Sequence, residues 1–346
     1  MFVIIVCTHR RSDPLRKALR SLAACERPAK LEWEVLLVDN SRSREAEPIV
    51  REFEDRLPIR YACEPEPGVS NARNRGIAES RGEMLWFLDD DVELVPAWLR
   101  EAAEAAKSQP EASFFQGKVT PNWVDGPPPK WVNPERGGPE SHVGTYLYFD
   151  LGPSNRPLAA TEPIISANLG VRRDAFRKVG GFRPDLCPIG TRHRLGGDTE
   201  FGSRANAAGL RGVYVAGAAA AHYTPAARAT VRFALRWSYH HGRASQRLKA
   251  IRWVRDGKYS LLFALSELAK NKLRFAPELA AALFLSPFVG VKRRVGFWMR
   301  LTYRFGRIME CLLGGRPDLA LDWPEGISSR QGHGDAETRR LGDSGR

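Results

Sequence analysis

Trp86-Phe87-Leu88-Asp89-Asp90-Asp91-Val92-Glu93-Leu94 is an apolar run that stops abruptly at three consecutive carboxylates. Its upstream part, Met84 to Leu88, is short and bulky, with Gly82 before it and Pro96 beyond. This pattern predicts an interior strand of a parallel sheet rather than a helix. Such strands open at their carboxyl ends into ligand crevices. Successive strand residues point to opposite faces, so Asp89 and Asp91 are expected to share one side while Asp90 turns away. Two carboxylates held together repel unless a hard divalent cation lies between them, and Mg²⁺ takes one or two carboxylates plus substrate phosphates. A solvated acidic turn is the competing reading, because Asp favours turns.

The flanking chain favours the crevice. Phe2 to Cys7 reads as a first strand, and Asp13-Pro14, an N-cap with Pro at the first helical position, opens an amphipathic helix through Leu15, Ala18, Leu19 and Leu22. Trp33 to Val38 repeats the strand and ends at Asp39, with a helix expected over residues 44 to 56. Ile59 to Cys63 is a third strand, and Pro67-Gly68-Val69-Ser70 leads into a helix carrying Arg73. Alternating strands and helices predict a mostly parallel α/β sheet with the loops after the strands gathered on one edge. Asp39, the segment from Ser70 to Arg75, and Asp89 to Asp91 should meet there.

Downstream, a helix is expected from Pro96 to Ala106 and a strand from Ala112 to Val119. Residues 121–160 are rich in Pro, Gly and Trp and lack periodicity, so they read as a long ordered loop or lid. Ile164 to Val171 reads as a strand and Arg172 to Val179 as a helix stopped by Gly180-Gly181. Asp198, after Gly196-Gly197, is a natural N-cap for a helix ended by Gly209. Val213 to Val215 is a short strand, and Ala218 to Ala221 leads into His222.

Net charge is +13, but residues 228–316 hold 19 Lys/Arg against four acids, so the remainder is nearly neutral. That stretch is largely helical by pattern, with Trp298, Leu301, Phe305, Ile308 and Leu312 on one apolar stripe. A basic surface attracts phosphates of any kind, so charge alone names no partner. The five cysteines have no metal-ligand spacing, which argues against a zinc site or disulfide framework and fits a reducing cytoplasm. Neither a signal peptide nor a membrane-spanning helix is expected. The expected organisation is a catalytic unit over residues 1–227, a helical basic region over 228–316 and a tail over 317–346, disordered at its end.

Together the motifs resemble the family 2 inverting glycosyltransferases, which have the GT-A nucleotide-sugar-binding fold. Four segments carry the resemblance, over about residues 1 to 245: Val3 to Thr8 with Val38-Asp39-Asn40-Ser41; Pro67 to Gly76; Phe87 to Asp91; and Asn168 through Gly181-Phe182 with Gly197-Asp198-Thr199-Glu200. The resemblance implies that Thr8, Asp39, Arg73 and Asp89 hold the nucleotide. Asp91 would be the principal ligand of Mg²⁺ or Mn²⁺, with Asp89 and His222 beside it. Asp198 would be the general base that takes the acceptor hydroxyl proton, and Glu200 is the second candidate. The family usually has Glu-Asp where this chain has Gly197-Asp198.

Asn168, Gly181 and Phe182 are expected to shape the donor and acceptor pocket. Trp123 and Trp131 would either stack on sugar or merely pin the lid, and Arg228 or Arg243 would clamp phosphate or lie on a solvated face. The implied partners are a nucleoside-diphosphate sugar, a glycan or lipid-linked acceptor, and an anionic membrane at whose inner face the basic helices rest. Helices packed on the catalytic unit or on a second copy are the alternative use of that region. A nicotinamide-dependent enzyme is disfavoured because Thr8-His9-Arg10 stands where GxGxxG would. A nucleotidyltransferase lacks its Gly-rich phosphate loop, and a nucleic-acid-binding protein lacks a recognised motif.

Overall fold

The computed structural model describes residues 1–132, 147–187, 196–319 and Ile327. The central part of the lid segment (133–146) and nearly all of the tail beyond residue 319 lie outside the described residues. The strands are β1 (Phe2–Thr8), β2 (Trp33–Asp39), β3 (Ile59–Cys63), β4 (Met84–Asp89), β5 (Val92–Leu94), β6 (Phe114–Trp123), β7 (Arg156–Pro157), β8 (Asn168–Arg172) and β9 (Gly212–Thr224). They form one mixed sheet in the order β3-β2-β1-β4-β8-β6-β9-β5, with β7 also on β9. The half from β3 to β4 is parallel, as is the long β6–β9 pair, so most of the ladder is parallel.

Apolar alternation along the strands feeds two cores. Phe2, Ile4 and Val6 of β1 face α1 (Ser12–Ala23), α2 (Glu47–Arg51) and α4 (Trp98–Ser108). Val3 and Ile5 face α3 (Val69–Glu79), α5 (Arg173–Val179) and α6 (Gly197–Ala207). The result is a three-layer GT-A-like α/β fold. Burying a large aliphatic or aromatic side chain contributes roughly 1.5–3 kcal/mol.

Several expectations shift. β4 is parallel to β1 but antiparallel to β8, because the chain returns to the sheet in the opposite direction after the long loop. The strand read over Ile164 to Val171 shrinks to Asn168–Arg172, whereas Val213 to Val215 and the following alanines form one strand, β9. The second helix spans only Glu47–Arg51, and α1 is capped by Arg11 rather than Asp13. The helix after Gly196-Gly197 is capped by Gly196 in the left-handed region (φ 105°), which places Asp198 inside the first turn. The flanks of the lid segment are tied down: β6 runs through Trp123, Phe149 bridges Val119, and Arg156–Pro157 pairs with β9.

After β9 the chain forms α7 (Val231–Arg255), α8 (Leu261–Ala280) and α9 (Val291–Leu313). Ser238 Oγ donates to the Met299 carbonyl and Gln246 accepts from Arg307, both with an offset of 61 residues, so α7 and α9 run parallel. Backbones touch at two glycines. A Cβ on Gly242 would lie 2.0 Å from the Tyr303 carbonyl oxygen, and one on Gly306 2.0 Å from that of Tyr239. The helix α8 runs back between their ends, with Glu278 and Asn271 accepting from Arg304 and Glu267 meeting Arg307. Among the described residues no helix is long and apolar enough to cross a membrane.

Candidate active site

Register alone assembles the first part of the site. Thr8 pairs with Asp39 across β1 and β2, and Cys7 pairs with Asp89 across β1 and β4, so the carboxyl ends of three strands lie in one row. His222 comes from the opposite part of the sheet. The short strand β5 runs antiparallel to β9 with Val92 opposite His222, and the Tyr223 amide donates to the Asp91 carbonyl at 2.8 Å. His222 Nε2 consequently lies 3.0 Å from Asp91 Oδ1, with both side chains almost fully buried. Asp89, Asp91 and His222 each offer one ligand atom within 4.8 Å of the others.

Two arginines compensate the acids. Arg11 spans them, donating Nη1 to Asp90 Oδ1 at 2.8 Å and Nη2 to Asp91 Oδ2 at 2.7 Å. Arg73 donates to Asp89 Oδ1 at 3.0 Å and lies over the Phe182 ring. Arg228 stands 3.9 Å from Asp91, whereas Arg243 is used far away on Glu310. The charge cluster separates the acids electrostatically. Burial pushes the Asp90 carboxyl up to about 6 despite Arg11 and the Thr8 hydroxyl. Burial would raise Asp91 too, but the His222 hydrogen bond and charge, together with Arg11, outweigh it and hold that carboxyl below its ordinary range.

Asp90 therefore does not turn away to solvent. Its Oδ2 accepts from Thr8 Oγ1 at 2.6 Å inside the protein, because the strand ends at Asp89 and the tight turn to β5 folds the second acid under the first strand. Thr8 is committed to Asp90. Asp39 is similarly engaged: Oδ1 accepts from the Ser41 amide, and Oδ2 from the Ala46 amide and the Tyr61 hydroxyl. It organises the loop after β2 and is 1% exposed.

Asp198 sits partly exposed at the start of α6. Its Oδ2 faces the Ser166 hydroxyl at 3.3 Å and amide at 3.4 Å, and Oδ1 accepts the Thr199 amide. The next residue, Ala167, accepts the Asp89 amide through its carbonyl, so Asp198 and Asp89 are joined through two adjacent residues. Glu200 is buried in an ion pair with Arg204, one helical turn on.

Five expected pocket residues prove to be framework. Asn168 is fully buried and makes four hydrogen bonds: Oδ1 accepts from the Trp86 and Trp98 indoles, and Nδ2 donates to the Lys118 and Ala218 carbonyls. Its amide is the junction of β4, α4, β6 and β9, which leaves nothing for a sugar. Phe182 is fully buried against Phe87, Phe176 and Phe201. A Cβ on Gly181 would meet Asn74 Oδ1 at 2.4 Å, the oxygen that accepts the Phe182 amide. Trp131 is 6% exposed in a cluster with Ala234, Val295 and Met299, and Trp123 packs against the same cluster. Both tryptophans fasten the end of β6 and its loop to α7 and α9, since flat apolar rings fill the gap between sheet edge and helices.

Arg11 and Ser166 were not singled out by the sequence pattern. Arg11 lies three residues past the end of the first strand, and a basic residue near that carboxyl edge is the available signal. Ser166 had none.

The donors suit a divalent cation. Two carboxylates and an imidazole are reasonable ligands for Mn²⁺ and less so for Mg²⁺. Asp89, with a side chain 27% exposed, leaves one side open for substrate oxygens. His222 Nδ1 is buried without a hydrogen-bond partner among the described residues.

Residues 3–180 match the family described as Glycosyl transferase family 2. The succinoglycan biosynthesis protein ExoM of Rhizobium meliloti (strain 1021) is 33% identical over 127 residues, covering 34% of this chain and 41% of that protein. The O-antigen biosynthesis protein RfbC of Myxococcus xanthus is 30% identical over 246 residues, covering 65% of this chain and 17% of that protein. The chain thus spans less than half of either relative's length. Among solved structures, the mannosyltransferase PcManGT from Pyrobaculum calidifontis, in complex with GDP-Man and Mn²⁺, superposes with a TM-score of 0.58 at 16% identity. That match covers 91% of this chain and 88% of PcManGT.

Proposed function

Because the chain belongs to glycosyl transferase family 2, we propose that it moves a sugar from a nucleoside-diphosphate sugar to an acceptor hydroxyl with inversion. The observation that carries this reading is the convergence of Asp89, Asp91 and His222 at the carboxyl edge of the sheet, with Arg73 beside them. Asp91, Asp89 and His222 would hold Mn²⁺ or Mg²⁺, which when bound offsets charge building on the departing diphosphate. The GDP-Man and Mn²⁺ held by PcManGT support the donor class and the metal.

In this reading the chain's own groups divide the work. Arg73, which stands beside Asp89 at the sheet edge, can donate to the diphosphate. Arg228 can approach the same oxygens. Thr8 acts through Asp90 and Asp39 through its loop, so each shapes the nucleotide's bed from beneath. Asp198 accepts the proton of the attacking hydroxyl, and Ser166 aims its carboxylate. Glu200 is not the base in this reading, since Arg204 occupies it.

The named roles of the relatives in succinoglycan and O-antigen biosynthesis support a place in cell-surface glycan synthesis. A glycan or lipid-linked acceptor follows from that setting. In this reading residues 1–227 form the catalytic unit, and the basic region over 228–316 makes peripheral contact with an anionic membrane at its inner face.

The test is calorimetric titration with UDP, GDP, dTDP and NAD⁺, with and without Mn²⁺, on wild type and Asp91→Ala. Manganese-dependent binding of one nucleoside diphosphate, lost in the variant, is expected. If none of the diphosphates binds with metal, the reading loses its basis.

A further inference from the structure

The segment joining α8 to α9 presents a ridge of large apolar side chains. Leu283, Phe284 and Leu285 are 50%, 70% and 54% exposed, and Phe288 is 87% exposed. Scattered exposed apolar residues are ordinary, but four within six positions on one turn are not. The turn is also braced. Arg294 donates to the carbonyls of Ser286, Pro287 and Val289 at 3.1, 3.3 and 3.4 Å, and the Ser286 hydroxyl donates to the Ala282 carbonyl. Backbone held in this way presents its rings outward rather than folding them under.

The surroundings carry one sign of charge. Arg293 is exposed beside the ridge, Lys292 half-exposed, and Lys272 and Arg274 are exposed further back on α8. Between residues 257 and 309 the only acids are Glu267 and Glu278. Glu267 is buried among Lys249, Lys270 and Arg307, and Glu278 is paired with Arg304. A second copy brought ridge to ridge would meet like charge, which disfavours a self-complementary contact. A bilayer with anionic headgroups satisfies both features at once: the rings enter the interfacial layer and the cations meet phosphate.

The ridge also lies at a particular end of the bundle. Because α7 and α9 are parallel and Ala234 shares a cluster with Val295, the start of α9 is level with the start of α7. Arg228, three residues before α7, stands 3.9 Å from Asp91. The apolar turn and the acid cluster therefore belong to the same end.

We propose that the α8–α9 turn, through Leu283, Phe284, Leu285 and Phe288, inserts into the interfacial layer of an anionic membrane, with Lys292 and Arg293 on the lipid phosphates. This rests on the peripheral contact put forward above and gives it an address. It is independent of which sugar is moved.

The test is flotation of the full chain with pure phosphatidylcholine vesicles and with vesicles of equal phosphatidylcholine and phosphatidylglycerol, at low and high salt. Wild type is expected to float with the anionic vesicles only. The variants Phe284→Ser/Phe288→Ser and Lys292→Glu/Arg293→Glu should each lower the partition coefficient at least about tenfold, with thermal melting unchanged because all four side chains are at least half-exposed or at a helix start. The absence of flotation at low salt would overturn the proposal, as would full binding by the serine variant. A wild-type dimer that the serine variant dissolves, with vesicle binding intact, would assign the ridge to self-association instead. Manganese-dependent nucleoside-diphosphate binding, measured on the same proteins, separates failure of the donor site from failure of the membrane contact.

Discussion

His222 meets Asp91 only because two strands from distant parts of the chain lie edge to edge. The antiparallel register sets Val92 opposite His222, and the imidazole Nε2 then falls 3.0 Å from Oδ1 of Asp91. Neither residue carries the site alone. The carboxylate arrives on the parallel half of the sheet and the imidazole on the other, so their junction marks where a cation can be gripped between the two.

Loss of the proposed base should separate binding from turnover. Asp198→Asn keeps the Ser166 contact sterically but cannot accept a proton, so sugar transfer should fall by about 10²–10⁴-fold. Nucleoside-diphosphate affinity by calorimetry should stay within about twofold, since the metal donors are untouched. Unimpaired turnover would move the role to another residue.

Arg11 occupies the same charge that a metal would neutralise. Its guanidinium bridges Asp90 and Asp91 at 2.8 and 2.7 Å, and a positive group so close repels a divalent ion. Arg11→Ala should therefore tighten Mn²⁺ binding in the absence of nucleotide by about tenfold, read from free Mn²⁺ by electron paramagnetic resonance. Weaker binding in the variant would show that Arg11 aims the carboxylates more than it competes for them.

The two buried acids titrate with opposite consequences. Asp90, raised to about 6, takes up its proton in the folded state before an unfolded Asp at ~4 does. The stability owed to this group therefore falls as pH rises between about 4 and about 6. Asp91, held below its ordinary value, contributes stability that is present above about pH 4 and lost on further acidification. Asp90→Asn removes only the first effect. In urea melts of metal-free protein the variant should gain on wild type as pH rises through that window, and a difference independent of pH would contradict the assignment.

Asn168 should behave as a keystone of the fold. Replacing it with Ala strands two indole N–H groups and two carbonyls in a fully buried place, each costing about 1–3 kcal/mol if left unpaired. A loss of at least about 3 kcal/mol in denaturant unfolding is expected. A shift below about 1 kcal/mol, accompanied by altered donor affinity, would return Asn168 to the pocket.

Much of the sheet's acid-bearing edge was legible because strand and loop chemistry are local. An apolar run ending in Asp89 to Asp91, and another ending in Asp39, signal strand ends wherever they occur. The fate of each carboxyl group was not legible, because partners such as Arg11, Tyr61 and Ser166 are fixed by tertiary packing. The same reason explains Asn168 and Phe182. A polar or aromatic residue near a motif looks like a ligand group until its burial is known, and both prove to be fully enclosed. The direction of β8 was likewise hidden, since the long loop before it decides which way the chain re-enters.

The paired glycines Gly242 and Gly306 leave no clearance between α7 and α9. Two rods in such contact cannot slide or roll past one another without breaking it, so they act as one strut. The strut starts at Val231, after the short link that follows His222, and carries the apolar turn at that same end. Any side chain larger than hydrogen at either glycine would act as a shim, tilting the turn relative to the acids while touching neither. Aim, as distinct from affinity, is thus set by two residues with no side chain at all.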